Sequence, residues 1–400
     1  MKIAFITSSA EPGKDGMGDY TLSLAAALRG IGHEVLVVAL NDRWLADQGA
    51  IVSGENSDGV LLERCPRGLS YADRITRVAA RLREFGADWA SFQMSCYAYH
   101  PKGLFFGLNR HLPKLSAAVG NWQMMFQELW IGFNWGASWK HRLVGMLQRL
   151  SIQGGVRALR PKIFHTSTPL FRAMLKTIGI GASILPLAGS IPVNPDPGTE
   201  WFHGLLGLVG AKGAPIAADQ RSGHLVVGFF GAIYPNWEPE PFFSSLRKVA
   251  QKTGQKVTIL AAGRMGGGGE EIWERLVPAY PNFRFQKLGE LSFARVSQYL
   301  RNLDIGIAAT PWLAIGKSSA TAAMLDHGIP VMVTRNDCQP RQRLQIDPPS
   351  NPLLILAEHD VTDRILAGFP RHEPRHTAQD LAEDFVRRME QVKFAPRTGR

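Results

Sequence analysis

The chain has 400 residues, of which 45% are hydrophobic and 20% are charged. This length and composition exclude a single small domain, a disordered chain and a fibrous chain, and they indicate two domains of ordinary size. The longest apolar runs, such as 226–233, fall far short of the roughly 20 residues that a membrane-spanning helix requires. The N-terminal residues lack the pattern of a secretory signal peptide, so we expect a cytoplasmic protein.

Cysteine usage indicates a reducing environment. The three cysteines, Cys65, Cys96 and Cys338, are odd in number and far apart in the sequence. Such spacing argues against a disulfide framework and against a zinc site. We therefore expect three reduced thiols.

The positive charge is concentrated in one segment. Residues 101–195 contain eleven Lys or Arg and one acid, Glu128, which gives +10 of the formal net charge of +11. The same segment contains four tryptophans: Trp122, Trp130, Trp135 and Trp139. Basic and aromatic side chains together predict peripheral contact with an anionic membrane, and the alternative is a solvated helix face with core tryptophans. Nucleic acid is not expected, because no DNA- or RNA-binding motif accompanies the charge.

The first part of the chain alternates strand-like apolar runs with helix-like periodic ones, which is typical of a doubly wound α/β domain with a parallel sheet. We predict strands at 2–7, 34–40, 87–93 and 121–126, and helices at 20–29, 71–85 and about 138–151. After residue 185 the pattern gives way to Pro- and Gly-rich sequence, which indicates a linker with an insertion over 186–223.

A second β-α series follows this linker. We predict strands at 225–230, 256–261, 283–287, 305–308 and 331–334, and helices at 241–253, 270–277, 293–301 and 319–326. A last amphipathic helix, about 377–392, is expected to pack back across both domains. The predicted organisation is a domain at 1–185, a linker at 186–223, a second domain at 224–370 and a C-terminal segment at 371–400.

Ligands of doubly wound domains bind at the carboxyl ends of the strands, where glycines admit the backbone and helix N-termini attract anions. The loop over 7–20 fits this rule, because Gly16 and Gly18 allow a tight entry into the next helix. Thr21 stands where a dinucleotide fingerprint requires its third glycine, so a dinucleotide site is not expected. The alternative is an ordinary glycine-capped turn. Tyr97 and His100 follow another strand and are candidates for lining the same cleft, although such a histidine is often a hydrogen-bonded loop residue.

A second anion site is predicted at Lys317, Ser318 and Ser319, just before the helix 319–326. Two hydroxyls and free amides at a helix N-terminus, together with a lysine charge, suit a phosphate group. The spacing differs from that of a nucleoside-triphosphate loop, which favours a diphosphate. The alternative is a serine N-cap beside a surface lysine. No Asp-x-Asp pair occurs in the sequence, so we expect no metal.

Two segments resemble the GT-B glycosyltransferases, and family four of them in particular. Residues 16–28 are similar to the glycine loop and following helix of that family, and residues 323–331 are similar to its donor-site helix and Gly-x-Pro-Val sequence. The resemblance extends over about 1–335. It implies two facing Rossmann-like domains with parallel sheets, with the acceptor in the N-terminal domain and a nucleotide sugar held mainly by the C-terminal domain.

The sequence also departs from that family. Two donor-site glutamates of the family fall here on Ile315 and Ala323, and its mid-domain histidine falls on Gln127. The basic pair expected after the first strand of the second domain is absent from 231–238. Charge and position make Lys317 and Arg264 candidates to replace the missing cations.

The expected activity is transfer of a sugar from a UDP- or GDP-type nucleoside diphosphate sugar to a hydroxyl acceptor. That acceptor is expected to be a lipid-linked molecule or a cell-envelope polysaccharide or glycoconjugate. No cofactor is expected besides the nucleotide sugar as co-substrate. The alternatives are an inactive nucleotide-sugar-binding protein and a nucleotide-sugar 2-epimerase.

Site roles follow from this expectation. An inverting reaction needs a general base, for which Asp19 and Glu128 are the candidates, and Gln127 occupies the position of the family's histidine. The acceptor site is assigned to Gly16, Met17, Gly18, Tyr97 and His100. The donor site is assigned to Gly231, Arg264, Gly289, Glu290, Lys317, Ser318 and Ser319, with Gly289 and Glu290 beside the nucleotide base.

Overall fold

The computed structural model describes residues 1–208, 218–233, 237–357 and 359–393. These residues form two compact units. Unit 1 contains the described parts of 1–188, 339–347 and 377–400, and unit 2 contains the described parts of 189–338 and 348–376. In these ranges no helix is long and apolar enough to cross a bilayer.

Unit 1 is built on an eight-stranded sheet with the strand order β3-β4-β2-β1-β5-β6-β7-β8. Its strands are β1 (Lys2–Thr7), β2 (Glu34–Asp42), β3 (Val52–Glu55), β4 (Leu61–Pro66), β5 (Trp89–Ser95), β6 (Trp122–Glu128), β7 (Ile163–Thr166) and β8 (Ser183–Ile184). Its helices are α1 (Gly16–Gly30), α2 (Tyr71–Phe85), α3 (Cys96–Tyr99), α4 (Phe106–Asn109), α5 (Leu112–Ser116), α6 (Trp139–Leu159), α7 (Pro169–Lys176) and, from the C-terminal segment, α15 (Ala378–Lys393). All pairings in this sheet are parallel except that of β3 with β4.

Unit 2 is built on a six-stranded parallel sheet with the strand order β11-β10-β9-β12-β13-β14. Its strands are β9 (His224–Phe230), β10 (Lys256–Ala262), β11 (Arg284–Gly289), β12 (Ile305–Ala308), β13 (Val331–Val333) and β14 (Leu354–Leu356). Its helices are α8 (Thr199–Leu205), α9 (Ala218–Ser222), α10 (Glu240–Thr253), α11 (Gly267–Ala279), α12 (Phe293–Asn302), α13 (Ser319–Asp326) and α14 (Thr362–Ala367), and a 3₁₀ turn covers Trp312–Lys317.

The strands carry apolar side chains on both faces, which is what helices covering both faces of a parallel sheet require. In β2, residues 35–40 are all buried. Helix α2 shows how the helices are delimited, since the Ser70 side chain caps its first turn and Gly86 ends it in the left-handed conformation. The α/β architecture with two parallel-dominated sheets therefore agrees with the predicted fold class.

Part of the predicted linker is a structural element of unit 2. Residues 189–208 belong to that unit, and α8 places Phe202 in its core together with Ile191 and Leu206. The Pro- and Gly-rich composition of 186–223 hides this short helix, because three apolar residues suffice to anchor it. Residues 209–217 of the predicted linker and 394–400 of the predicted C-terminal segment lie outside the described residues. Helix α15 packs on α1 within unit 1, where Phe385 stacks on Phe5 at 5.6 Å between ring centroids.

The three cysteines are free and buried, as expected for reduced thiols. Burial raises the pKa of Cys65 to about 12 and that of Cys338 to about 11. Thiols in such surroundings stay protonated near neutral pH and are poor nucleophiles. We therefore do not expect these thiols to act as nucleophiles.

Candidate functional site

The predicted glycine loop of unit 1 lies at the carboxyl end of β1. Asp15 is the N-cap of α1, where its side chain accepts hydrogen bonds from the Met17 amide at 3.0 Å and from the Ser8 hydroxyl at 2.7 Å. A Cβ atom at Gly18 would overlap the carbonyl oxygen of Ser9. Glycine is therefore required at 18 for the helix to begin directly against the loop.

Asp19, one of the two predicted general bases, stabilises this loop. Its Oδ1 atom accepts a hydrogen bond of 2.7 Å from the backbone N–H of Gly13, a residue in the left-handed region with φ of 71°. Gly16 is exposed and Met17 is buried at the start of α1. The carboxylate that the sequence offers as a base thus has a structural contact, and its catalytic role stays a prediction.

A cavity of about 540 Å³ opens beside the glycine loop. The loop contributes Gly16 and Met17 to its lining, and the loop after β5 contributes Tyr97 and His100, so four of the five residues assigned to the acceptor site share one cavity. Gly18, the fifth, lies behind it against Ser9. The cavity is therefore a candidate binding site at the position that the strand-end rule predicts.

The cavity is lined by basic side chains that the sequence patterns did not indicate. Lys14, Arg43 and Arg67 line it, and Asp15 is the carboxylate among the lining residues. Lys14 and Arg43 both lie over the ring of Trp44, at 5.8 and 4.8 Å from its centroid. Arg43 could have been predicted from its position directly after β2, because that strand ends at the same edge of the sheet as β1.

His100 has a defined ring orientation. Its Nδ1 atom accepts hydrogen bonds of 3.2 Å from the backbone amides of Lys102 and Leu104. In the neutral ring, Nε2 then carries the proton. The alternative that the sequence left open, a hydrogen-bonded loop histidine, therefore holds for the Nδ1 atom. The Nε2–H group is the one with which the ring would donate to a ligand.

Glu128, the second predicted base, lies at the end of β6. A register shift between β5 and β6 sets Ser95 opposite Glu128, and the Ser95 hydroxyl donates to Glu128 Oε2 at 3.1 Å. Ser95 itself lines the cavity. Irregular pairing at the end of a strand is a common way to aim a side chain at a site. Glu128 is thus one residue away from the cavity wall.

Gln127 begins a chain of buried polar side chains. Its amide donates to Gln93 at 2.9 Å, and Gln93 donates to the Ser91 hydroxyl at 2.7 Å. Ser91 donates in turn to Gln123 at 2.5 Å, and Gln123 contacts His165 Nδ1 at 3.1 Å. Burial, with a smaller effect from Arg388, lowers the pKa of His165 to about 4, so this ring is neutral near pH 7.

Unit 2 has a different kind of strand edge. Gly231, Gly263 and Gly289 follow or end three neighbouring strands, and all three have positive φ, of 81°, 89° and 68°. The Gly231 amide donates to Ala262 at 3.0 Å, and the Gly263 amide donates to Gly289 at 2.7 Å. Three neighbouring loops therefore each leave the sheet through a glycine, where the absence of a Cβ atom allows a ligand to approach the backbone closely. Gly263 was not among the predicted site residues, although its position after a strand matches that of Gly231.

The N-terminus of α13 lies beside this glycine edge. Ser318 is its N-cap and accepts a hydrogen bond of 3.1 Å from the Thr321 amide, and Ser319 is the first residue of the helix. Gly231 and Ser318 line one small cavity, and a Cβ at Gly231 would lie 3.7 Å from Ala320. The structure thus brings two of the predicted donor residues together.

Lys317 ends the 3₁₀ turn that precedes Ser318. Its charge acts on Cys338, because it lowers the pKa of that thiol against the larger opposite effect of burial. The lysine is partly buried and directly precedes the N-cap of α13 in the chain.

Arg264 and Glu290, which were predicted to make separate donor contacts, form an ion pair. The distance from Arg264 Nε to Glu290 Oε1 is 3.3 Å, and both side chains are exposed. They follow Gly263 and Gly289, so the pairing results from the adjacency of those two loops. An exposed pair of this kind is weak, and a ligand can displace it at little cost.

The two positions that align with the family's glutamates are both buried. Ile315 lies in the core. Ala323 packs against Gly189, since a Cβ atom added to Gly189 would lie 2.7 Å from the Ala323 Cα atom. Asp326 Oδ2 accepts a hydrogen bond of 3.0 Å from the Gly189 amide. Backbone therefore fills the space beside residue 323. Of the segment 231–238, residues 234–236 lie outside the described residues.

No group of three or more His, Cys, Asp or Glu side chains among the described residues is arranged to hold a metal ion.

Comparison with known proteins shows the fold. No family model and no curated protein matches the sequence. Sucrose-phosphate synthase from Thermosynechococcus elongatus is 15% identical, with 98% of this chain and 94% of that chain covered and a TM-score of 0.53. Anabaena HepE in complex with UDP and glucose is 13% identical, with 98% of each chain covered and a TM-score of 0.54.

The catalytic domain of starch synthase IV from Arabidopsis thaliana, bound to ADP and acarbose, is 12% identical, with 98% of each chain covered and a TM-score of 0.55. The fold is GT-B, as the resemblance implied. At these identities the likeness concerns the fold, and the assignment to family four stays a prediction.

Proposed function

We propose that this protein transfers a sugar from a nucleoside diphosphate sugar, with UDP or GDP as the nucleotide, to a hydroxyl acceptor. Unit 2 binds the donor and unit 1 binds the acceptor. The co-substrate nucleotide sugar supplies the reactive group, so no further cofactor takes part.

The glycine edge of unit 2 is the observation that carries this proposal. Gly231, Gly263 and Gly289 lie at the ends of three neighbouring strands, and Gly231 shares a cavity with Ser318 at the N-terminus of α13. A diphosphate binds well where no side chain blocks its approach to the backbone and a helix dipole adds positive potential. Two solved structures with this fold contain a nucleotide, UDP in Anabaena HepE and ADP in starch synthase IV, which supports a nucleotide as the ligand.

The electrostatic requirement of the reaction fits the residues present. When the bond from the sugar C1 atom to the diphosphate oxygen breaks, negative charge develops on the leaving group. Lys317, together with the amide of Ser319 and the N-terminal dipole of α13, would stabilise that charge. Arg264 would contribute a second cation after exchanging Glu290 for phosphate. We therefore propose that side chains and amides carry out the stabilisation without a metal.

The acceptor hydroxyl must lose its proton as the new bond to C1 forms. Glu128 is the better candidate for the base, because Ser95 connects it to the cavity wall while Asp19 is committed to the Gly13 amide. The basic lining of Lys14, Arg43 and Arg67 favours an acceptor that carries negative charge. A lipid-linked acceptor, or a cell-envelope polysaccharide or glycoconjugate with phosphate or carboxylate groups, meets this requirement.

A donor panel tests the proposal. The purified chain is incubated with UDP- and GDP-sugars, with and without acidic acceptors, and both nucleoside diphosphate release and sugar identity are measured. The proposal predicts release that depends on one nucleotide and increases with acceptor. Formation of an epimeric nucleotide sugar without release would contradict it, and so would tight nucleotide binding with neither product.

A further inference from the structure

Helix α6 presents its large apolar side chains to solvent. Trp139, Leu143, Met146 and Leu150, which we call the α6 stripe, are 69%, 47%, 50% and 50% exposed. Their spacing of four, three and four residues places them within about 60° of one another around a helix with 3.6 residues per turn. A surface helix of a globular protein normally buries such a stripe against the core. Helix α6 instead exposes its stripe to solvent.

The rotation of α6 is determined by its opposite face, which is small and polar. A Cβ at Gly145 would overlap the carbonyl oxygen of Ile131, so helix and loop backbones touch there. Buried Gln148 accepts from the Ile131 amide at 3.0 Å, and buried Ser151 accepts from the Phe105 amide at 3.0 Å. Turning the stripe inward would break these bonds and force tryptophan and leucine into a space that only glycine fits.

The apolar surface continues before the helix. Trp135 is 63% exposed, and the guanidinium of Arg341 lies over its ring at 5.6 Å from the centroid. The Trp135 amide donates to the carbonyl of Gln339 at 2.8 Å, which fixes the backbone that carries the ring. Of the twelve large hydrophobic side chains exposed in the described residues, five lie between 135 and 150. Such clustering distinguishes an interaction surface from scattered surface apolar residues.

Positive charge surrounds this surface. A cleft of about 330 Å³ beside α6 has apolar walls that include Met146, and three arginines, Arg142, Arg149 and Arg341, line it. Lys140 and Arg157 are exposed on the helix itself. Residues 129–195 contain no Asp or Glu. The nearby carboxylate of Asp347 is paired with Arg172 at 2.6 Å.

We propose that the α6 stripe and Trp135 dock on the surface of an anionic phospholipid membrane. Exposed tryptophan, leucine and methionine would enter the headgroup boundary, while the arginine and lysine side chains would reach the lipid phosphates. A second copy of the chain is the poorer occupant, since a two-fold contact through this surface would bring two basic rims together. The docking surface does not depend on the proposed sugar transfer.

Vesicle cosedimentation of the full chain tests this proposal. Vesicles of phosphatidylcholine alone are compared with vesicles that contain phosphatidylglycerol, at low and high salt. We expect binding to the anionic vesicles at low salt, little binding to neutral ones, and loss of binding as salt screens the charges. Absence of binding at low salt, or equal binding to both vesicles, would overturn the proposal.

Variants locate the surface. The double variant Trp139→Ser/Leu143→Ser should bind anionic vesicles at least about tenfold more weakly, because it removes half of the stripe. Its matched control, Val277→Ser/Phe293→Ser, removes two exposed apolar side chains from unit 2 and should bind as the unmodified chain does. Since all four side chains are at least 40% exposed, folding should be preserved, and circular dichroism checks this. Equal binding of the two double variants would refute the assignment to α6, and so would a dimer in sedimentation that buries the stripe.

Discussion

The carboxyl edges of the two sheets differ in the chemical groups that line them. In unit 1 the edge is a cavity of about 540 Å³ lined by charged and aromatic side chains, among them Arg43, Tyr97 and His100. In unit 2 the loops after β9 and β10 begin with glycine, at Gly231 and Gly263, and Gly231 lies beside the N-terminus of helix α13. Side chains discriminate among ligands by shape and charge, whereas a helix N-terminus with glycine beside it recognises a phosphate that many ligands share. The difference suits a variable acceptor in unit 1 and a nucleotide diphosphate in unit 2.

The largest effect that the comparison predicts concerns turnover. If a side chain of unit 1 activates the acceptor, Glu128→Gln should lower kcat by about 10²–10⁴, because general-base help is lost. Asp19→Asn should act less on kcat, since the Asp19 carboxylate accepts a hydrogen bond from the Gly13 amide. Initial rates of nucleoside diphosphate release with saturating donor and acceptor measure both. Near-normal kcat in both variants would remove these carboxylates from the mechanism.

A second effect concerns the polar interior behind the unit 1 edge. The folded pKa of His165, about 4, is below its ordinary value of 6.5, and burial is the main cause. Between these values the unfolded chain binds a proton that the folded chain does not, so stability falls as pH decreases through this window. The His165 contribution to the free energy of unfolding should fall by about 3 kcal/mol from pH 7 to pH 4.

Denaturant unfolding of the chain and of His165→Gln across this pH range measures that contribution. Glutamine keeps a hydrogen-bonding group beside Gln123 but does not titrate, so the difference between the two curves isolates the imidazole. The variant should show a flatter dependence on pH. Parallel curves would mean that the ring takes up its proton in the folded state as readily as in the unfolded chain.

A third effect separates the packing requirement of the glycine loop from helix propensity. Gly18→Ala should lower stability by about 1–3 kcal/mol, because the new methyl group meets the Ser9 carbonyl. Gly30→Ala, at the other end of the same helix, has nothing within 4 Å of the new atom and should be neutral or slightly stabilising. Thermal melts of the two variants make the comparison. Equal melting temperatures would show that the loop moves away freely.

Much of the fold could be predicted from local signals. Strand β1, helix α2, strand β12 and helix α13 have the predicted bounds, since each combines a buried apolar pattern with clear ends. The β3–β4 hairpin was not predicted, because all four residues of β3 are exposed and show no alternation. Strand β14 has three residues, too few for a period to be recognised.

The sequence could predict where the candidate site residues lie in the fold, but it could not predict their contacts. The rule that ligands bind at the carboxyl ends of strands selected Gly231, Ser318, Tyr97 and His100, and the structure places these residues at the carboxyl edges of the two sheets. The ion pair of Arg264 with Glu290 depends on which loops become neighbours, which no local pattern encodes. The sequence also could not predict which tryptophans of the basic segment reach solvent. Trp122 and Trp130 are buried, while Trp135 and Trp139 are exposed.

The central claim is that unit 2 binds a nucleoside diphosphate at its glycine edge, and calorimetric titration with UDP and GDP tests it most directly. Lys317→Ala should weaken binding of the preferred nucleotide by about 10- to 150-fold, since a charge-assisted hydrogen bond contributes about 1.5–3 kcal/mol. Lys252→Ala is the matched control, because this exposed lysine of α10 pairs with Asp363 on another surface of the unit. We predict a loss of affinity in the first variant and none in the second. Unchanged affinity in a folded Lys317→Ala protein, or no binding of either nucleotide to the unmodified chain, would contradict the account.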